Sequence, residues 1–290
     1  MINNFMDRTL EIRKVLLITL VLNILVSLAK VIYGSITDSI SIFSDGFHSF
    51  FDGVSNIVGL VGIYIASKPV DKKHPYGHRK YETVFTIFIG LLMLLTCFEV
   101  FKGVYESLIG RRQAIVTTTS FIVMTITMVI NFFVYNYERR KGLKLNSEFL
   151  IADSKHTMAD IYVSAGVIAG LVFIHLGFSL VDPIVGAIIG VFIAKTGLDI
   201  IKEATDVLVD KTQIDTAIIE DIALGVKDVI GCHDIRTRGT KGHIFLDLHI
   251  IVKPDISVKD AHDIAELVES EIKKKISDVV DVVVHIEPEK

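Results

Sequence analysis

Residues 44–52 read Ser44-Asp45-Gly46-Phe47-His48-Ser49-Phe50-Phe51-Asp52 and lie inside a long apolar run from Ser39 to Ser67. In a helix, residues four apart share one face, with Cβ atoms about 5–6 Å apart. His48 and Asp52 therefore share a helix face within a segment that is apolar enough to enter a membrane. The same spacing recurs in another apolar run, as His156-Thr157-Met158-Ala159-Asp160. Two such pairs on two buried helices can supply two nitrogens and two oxygens to one divalent ion.

The composition of the chain indicates a membrane protein. Of its 290 residues, 51% are hydrophobic, and the mean hydropathy of +0.53 is too apolar for an ordinary soluble domain. Lysine and arginine are denser in alternate loops, so the positive-inside rule predicts that both termini lie in the cytoplasm. The expected location is the inner or plasma membrane. Six apolar runs reach the roughly 20 residues that a transmembrane helix needs, near 13–35, 39–67, 82–107, 114–137, 147–178 and 182–208.

The last part of the chain carries an ordinary density of charge and predicts a separate domain. Its apolar positions predict a helix from Ile214 to Val226, strands at 229–238 and 243–253, a helix at 257–275 and a strand at 279–287. This αββαβ order predicts a small α+β sandwich in which two helices cover an antiparallel-rich sheet. We therefore expect a six-helix membrane domain at 1–208 and a cytoplasmic domain at 209–290.

The sequence predicts no disulfide bond, no removable signal peptide and no nucleic-acid partner. Cys97 lies in an apolar run and Cys232 lies beside a predicted strand, so no disulfide is predicted. The first ten residues lack an apolar core followed by a cleavage site, so we expect no removable signal peptide. The net charge of −4 does not indicate a nucleic-acid partner, and we expect none.

Buried charge is the reason to expect a cation at the paired motifs. An ionisable residue at the bilayer centre costs about 2.5–3.5 kcal/mol, so Asp52 and Asp160 need compensation. A divalent ion held by two carboxylates and two neutral imidazoles is locally neutral, in a four-coordinate set that zinc accepts. The alternative is that each pair is only a hydrogen bond within its helix. Asp45 lies three residues before His48, and Asp153 lies three residues before His156. Each of these aspartates could support the ligands, line the entry path, relay protons, act as a fifth ligand, cap the cavity mouth or face water.

Protons and metal ions compete at a site of this kind. An imidazole must be neutral to bind a metal, and histidine changes charge near physiological pH. Protons that arrive from the more acidic side would displace the metal, and metal from the cytoplasm would displace the protons. The paired motifs therefore predict an antiport mechanism at one shared site.

Two further stretches accompany the paired motifs: the loop Asp71-Lys72-Lys73-His74-Pro75-Tyr76-Gly77-His78-Arg79-Lys80-Tyr81-Glu82, and the stretch His233-Asp234-Ile235-Arg236-Thr237-Arg238. Through these three features together the chain resembles the cation diffusion facilitator family, the membrane transporters of divalent metals. The resemblance covers nearly the whole chain and implies a homodimeric, proton-coupled exporter whose cytoplasmic domain has a metallochaperone-like fold and dimerises. In this family a His at position 48 goes with zinc, whereas an Asp there goes with broader use or with iron and manganese.

The resemblance also implies two further metal sites. One maps onto Asp71, His74 and His78, for which the alternative is a basic loop that faces anionic lipid headgroups. The other lies in the cytoplasmic domain, where each histidine could instead be an ordinary solvated residue. The family often has Asp where Glu287 stands, and the longer acid would alter the bridging geometry. This second set consists of His233, His249, His262, His285 and Glu287.

The sequence therefore predicts a transporter and not an enzyme. Zn²⁺ is the expected cargo, with Fe²⁺, Mn²⁺ and Cd²⁺ left open, and binding would be followed by alternating access across the lipid bilayer. An intramembrane zinc enzyme is a rival, but the His-Glu-x-x-His motif is missing and four protein ligands leave no open coordination position. A metal sensor without transport is a second rival. The residues that would carry the ion are His48, Asp52, His156 and Asp160.

Overall fold

The computed structural model describes residues 2–36, 40–109, 118–175 and 181–289. It divides into two compact units, Met1–Ala204 and Thr205–Lys290. For some residues in these ranges only the backbone is described, and not the side chain: 2–6, 30, 33, 34, 36, 40–52, 107, 118–120, 124, 167, 170–175, 181 and 182.

Six long helices occupy the described part of the first 208 residues. α1 packs along α2, α4 packs along α5, and α3 contacts both α2 and α5. The arrangement makes a helical bundle in which polar residues of different helices can meet. The helices are α1 (Ile2–Ile36), α2 (Ile40–Ala66), α3 (Lys80–Leu108), α4 (Thr118–Lys144), α5 (Glu148–His175) and α6 (Val181–Leu208).

Two of these helices extend beyond the apolar runs that predicted them. α1 begins at Ile2 rather than near residue 13, and α4 ends at Lys144 rather than near residue 137. The added turns contain Glu, Lys and Arg, which are good helix formers although they are not apolar. Hydropathy therefore finds the buried part of a helix and misses its charged ends. The predicted start of the fourth run at 114–117 and the end of the fifth at 176–178 lie outside the described residues.

The surface of the bundle is suited to lipid. Val21, Leu25, Phe98, Phe133 and Ile188 are each more than half exposed. Exposed apolar side chains in such number would be a liability in water, whereas they are ordinary against hydrocarbon. Within the described residues a shorter apolar helix covers Gly53–Ala66, and four helices are long and apolar enough to span a membrane: Asp7–Ala29, Lys80–Glu106, Phe121–Lys144 and Pro183–Leu208.

Close packing holds α3 against α6. A Cβ atom on Gly90 would lie 3.0 Å from the carbonyl oxygen of Gly197, and one on Gly197 would lie 3.1 Å from that of Gly90. The two backbones therefore approach as closely as small residues allow in a membrane helix pair. The buried apolar core around this contact includes Ile12, Leu16, Ile63, Ile89, Met93, Phe149, Leu150, Ile193 and Ile200.

The second unit has the predicted αββαβ order. The sheet order is β1-β2-β3; β1 pairs with β2 antiparallel, as predicted, but β2 pairs with β3 in parallel. The prediction of an antiparallel-rich sheet was therefore wrong, because a helical crossover between consecutive strands returns the chain in the same direction. The elements are α7 (Thr216–Leu224), β1 (Gly231–Thr240), β2 (His243–Val252), α8 (Val258–Lys275) and β3 (Val279–Pro288).

One face of this sheet carries the core and the other is left for polar residues. Every second residue of β2, from Ile244 to Val252, is buried against α7 and α8. On β3 the register shifts beside Ile244, and Val279, which pairs with Ile244, is buried in the core. Residues 249 and 285 fall on the opposite face, away from both helices. The fold thus presents a histidine-bearing surface on one side of a rigid sheet.

Candidate metal centres

Polar residues of α5 line a cavity inside the helical bundle. Asp153, His156 and Asp160 are spaced at i, i+3 and i+7, which places them on one helix face. Asp153 is 2% exposed and His156 is 5% exposed. Buried carboxyl and imidazole groups in a bundle core indicate a functional site in membrane proteins. The cavity is lined by Asn23, Ser55, Asn131, Glu138, Asp153, His156, Thr157 and Asp160.

Hydrogen bonds from α2 fix the carboxylate of Asp153. Ser55 donates to its Oδ1 at 3.1 Å, and Asn56 donates to its Oδ2 at 3.1 Å. Asn56 is itself held by α1, because its Oδ1 accepts from Asn23 at 2.9 Å and its Nδ2 also contacts Thr19 Oγ1 at 3.0 Å. Asp153 is therefore a buried group that joins α1, α2 and α5. The geometry favours the supporting role among those that the sequence left open, and excludes a water-facing one.

The other half of the predicted quartet lies on α2. His48 and Asp52 are helical, eight and four residues before Asn56. Their side chains, and that of Asp45, lie outside the described part of the structure. The structure thus brings His156 and Asp160 to one cavity, and their convergence with His48 and Asp52 stays a prediction.

Glu138 is a cavity residue that the sequence did not predict. It is 1% exposed, and its Oε2 accepts a hydrogen bond from Thr157 at 3.1 Å. Glu138 lies seven residues after Asn131, so the two residues share one face of α4. This spacing is the sequence feature that could have indicated its role. The basic run that follows Glu138 concealed this signal, because it suggested a loop where the helix continues.

The loop between α2 and α3 brings Asp71, His74 and His78 together. Asp71 Oδ1 accepts from the backbone N–H of His74 at 2.7 Å and of Lys73 at 2.8 Å, and chiefly the first of these lowers the pKa of Asp71. His74 Nδ1 lies 3.2 Å from Asp71 Oδ1, and His78 Nε2 lies 3.5 Å from Asp71 Oδ2. The other ring nitrogen of His78 lies 3.1 Å from the Pro69 carbonyl, which orients the ring. Three possible metal donors therefore lie within 4.8 Å of one another.

Three histidines form a row across the sheet of the second unit. His233 pairs with His249 between β1 and β2, and His249 pairs with His285 between β2 and β3. Glu287 reaches all three rings, at 3.3 Å from His233 Nε2, 3.0 Å from His249 Nδ1 and 3.7 Å from His285 Nε2. The hydrogen bond with His249, and secondly the charge of His233, lower the pKa of Glu287. The longer acid thus contacts every histidine of the row.

Asp234 joins this cluster although the sequence did not predict it as a ligand. Its Oδ2 lies 3.8 Å from His233 Nδ1 and 4.0 Å from His249 Nδ1. The strand pairing shifts register between His233 and Arg236, and Asp234 has a positive φ of 50°. A β-bulge of this kind re-aims a side chain to the face of its neighbour. No period-two pattern in the sequence reveals it.

Two other residues of the second unit stay apart from the cluster. His262 lies on α8, 3.3 Å from Glu266, and α8 packs on the opposite face of the sheet. A single chain therefore does not bring His262 to the other predicted ligands. Cys232 precedes His233 but packs against the apolar core, and burial raises the pKa of its thiol to about 11. Its thiol is therefore protonated at neutral pH and is a poor metal ligand.

Both units match known protein families. Residues 16–209 match the family described as "Cation efflux transmembrane domain". Residues 212–289 match the family described as "Cation efflux protein, cytoplasmic domain". The two matches together extend over nearly the whole chain and meet close to the boundary between the two compact units.

Two similar proteins match this chain over nearly their whole length. The chain is 36% identical over 279 residues to "Uncharacterized transporter MJ0449" from Methanocaldococcus jannaschii, covering 96% of this chain and 98% of that protein. It is 30% identical over 286 residues to "Manganese efflux system protein MneP" from Bacillus subtilis, covering 95% and 96% respectively. Among solved structures, "MamM-CTD 215-293" aligns at 30% identity with a TM-score of 0.25, covering 26% of this chain and 94% of that one.

Proposed function

The chain belongs to the cation efflux family, the cation diffusion facilitators, and we propose that it exports divalent metal cations from the cytoplasm in exchange for protons. Members of this family are membrane transporters rather than enzymes. The observation that carries the proposal is the buried face of α5, where His156 and Asp160 line a polar cavity inside the helical bundle. No Lys or Arg side chain lines this cavity in the described part of the bundle.

The transported ion would be held by His48, Asp52, His156 and Asp160. Two carboxylates neutralise a divalent cation, and two neutral imidazoles complete a set of four donors. Asp153 would support the site by holding α5 to α2 through Ser55 and Asn56. The same arrangement explains why the bundle tolerates buried carboxylates, because either a cation or protons neutralise them.

We propose a divalent transition metal as the cargo. A donor set of two nitrogens and two oxygens suits Zn²⁺, and imidazole at position 48 supports that choice. Two similar proteins are named for manganese efflux, so Mn²⁺ is the principal alternative. Fe²⁺ and Cd²⁺ are also compatible with mixed nitrogen and oxygen donors.

Exchange with protons would follow from competition for the same groups. Imidazole binds a metal only when it is neutral, so protonation of the site releases the ion. Rocking of the helices around a fixed central site would then expose it to each side in turn. We propose six membrane-spanning helices, both termini in the cytoplasm, and a location in the inner or plasma membrane.

The loop and the sheet of the second unit would bind regulatory ions. The row of His233, His249 and His285 with Glu287 offers a preformed donor set, and Asp71, His74 and His78 offer a smaller one. The family's cytoplasmic domain serves dimerisation, and His262 would reach the row only from a second copy. An ion bound between two copies would favour the conformation that brings them together.

Replacing a histidine in this row should weaken ion binding by the second unit. His249→Ala removes the central ring, and we expect Zn²⁺ affinity at this site to fall by about tenfold or more. The measurement is a Zn²⁺ titration of the purified full-length chain against a chromophoric competitor. His243→Ala, on the same strand but outside the cluster, should titrate like the original chain. Equal loss in both variants, or in neither, would remove the assignment.

Sealed vesicles test the transport function. In the reconstituted chain, a proton gradient should drive a divalent cation across the membrane in the direction opposite to the protons. The proton flux should depend on the presence of the metal. Cation uptake is followed with a trapped metal-sensitive dye, and proton flux is followed with a pH-sensitive dye. A metal sensor without transport would bind the cation and produce neither flux, so that result would refute the proposal.

A further inference from the structure

Glu138 has one carboxylate oxygen that the described protein groups leave open. Its Oε2 accepts from Thr157, whereas its Oε1 is buried and has no hydrogen-bond partner among the described residues. Thr19 of α1 is close by, but its hydroxyl donates to the Leu16 carbonyl at 3.3 Å. A buried carboxylate oxygen without a donor is costly unless a ligand satisfies it.

The charge of the cavity points to a cation as that ligand. Three carboxylates line the cavity, those of Glu138, Asp153 and Asp160, together with one imidazole, His156. The remaining lining residues are neutral Asn, Ser and Thr, and both oxygens of Asp153 are engaged by neutral donors. Among the described lining residues, the acidic groups therefore outnumber the groups that can offset their charge.

We propose that Glu138 is a specificity-determining residue that gives a carboxylate oxygen to the cation in this cavity, and that it favours Mn²⁺ over Zn²⁺. The inference rests on the proposed transport function. Zn²⁺ is satisfied by four ligands in a tetrahedron, whereas Mn²⁺ takes six ligands and prefers carboxylate, carbonyl and water oxygens. An added carboxylate oxygen therefore benefits Mn²⁺ more than it benefits Zn²⁺.

A purely structural role for Glu138 predicts a different outcome. If its carboxylate only joined α4 to α5 through Thr157, its removal would loosen the bundle and would slow transport of every cation to a similar degree. A ligand role changes the ratio between the two metals. The ratio of the two transport rates is therefore the informative quantity.

The test compares initial rates of Mn²⁺ and Zn²⁺ transport by the full-length chain in vesicles. Glu138→Gln keeps the shape of the side chain and removes its charge; the Mn²⁺ rate should fall by about tenfold or more, with the Zn²⁺ rate within about threefold of the original. Glu99→Gln is the matched control, because it makes the same change at an exposed position of α3 and should leave both rates unchanged.

Several results would overturn the inference. A chain that does not transport Mn²⁺, or a Glu138→Gln variant with an unchanged ratio of the two rates, would do so. If Glu138→Gln does not fold, Glu138→Asp supplies the same comparison. The shorter side chain keeps the negative charge but moves the carboxylate away from the ion. His156→Ala separates the two proposals: if that variant still transports both metals, the transport site itself is wrong.

Discussion

Cation transport is expected to fall by at least about a hundredfold when His156 is replaced by alanine. Among the described residues, His156 is the nitrogen donor that α5 brings to the cavity, and its removal takes away one of the two proposed imidazoles from a site built for mixed nitrogen and oxygen donors. The buried carboxylates then lose part of the coordination that offsets their charge. The measurement is the initial rate of Zn²⁺ or Mn²⁺ uptake in sealed vesicles, at matched amounts of folded protein.

Lys155→Ala is the control for this prediction. Lys155 immediately precedes His156 on α5, but its Nζ lies 3.5 Å from Glu203 and it does not line the cavity. Its replacement should leave the transport rate nearly unchanged. Equal rates in His156→Ala and the original chain would show that α5 does not hold the ion.

A double replacement sharpens the same test. Asp160→Ala should abolish transport as completely as His156→Ala, because each removes one ligand of a single ion. The double variant should then be no slower than either single one, since groups that act as a unit are not additive. Multiplicative losses would indicate that the two residues act at separate steps.

The largest expected effect on stability comes from Glu82 at the start of α3. Its Oε2 accepts from Arg8 at 2.9 Å, and its Oε1 accepts from Ser147. The Arg8 side chain is 13% exposed and that of Glu82 is 4% exposed, so the pair is largely removed from solvent. Arg8 also donates to the carbonyls of Leu145 at 2.7 Å and Asn146 at 2.9 Å. The pair thus joins α1, α3 and the turn between α4 and α5.

Glu82→Ala should lower the free energy of unfolding by about 3–5 kcal/mol, because it leaves a buried guanidinium without its counter-ion. Reversible unfolding in detergent micelles is the measurement. Lys14→Ala is the control, since its exposed pair with Glu11 should contribute only about 0–1 kcal/mol. The double variant Arg8→Met with Glu82→Leu should recover most of the loss. If Glu82→Ala and Lys14→Ala are equally stable, the pair does not hold these segments together.

Much of the fold follows from patterns that persist along the chain. The apolar runs locate the helices of the bundle, and alternation along β2 separates its buried face from the face that bears His249. Helix ends do not follow from hydropathy, since charged residues extend α4 through Glu138. The parallel pairing of β3 depends on the crossover through α8, which strand propensity does not reveal.

The sequence predicted site residues where their spacing along one helix determines which way their side chains point. It did not predict residues that reach a site from another segment. His156 and Asp160 share a face of α5 because of their spacing, and the structure places both in one cavity. Glu138 reaches the same cavity from another helix, and helix pairing is not encoded in local spacing. Asp234 enters its cluster through a local irregularity of the strand. Contacts between distant segments therefore account for the residues that the sequence did not reveal.

A structure of the full-length chain loaded with Zn²⁺ or Mn²⁺, with the ion located by its anomalous scattering, tests the account most directly. The ion should lie within about 2.0–2.3 Å of His156 and Asp160 and equally close to side chains from residues 48 and 52 of α2. An ion that occupies only the loop or the second unit, with residues 48 and 160 turned towards lipid, would contradict it.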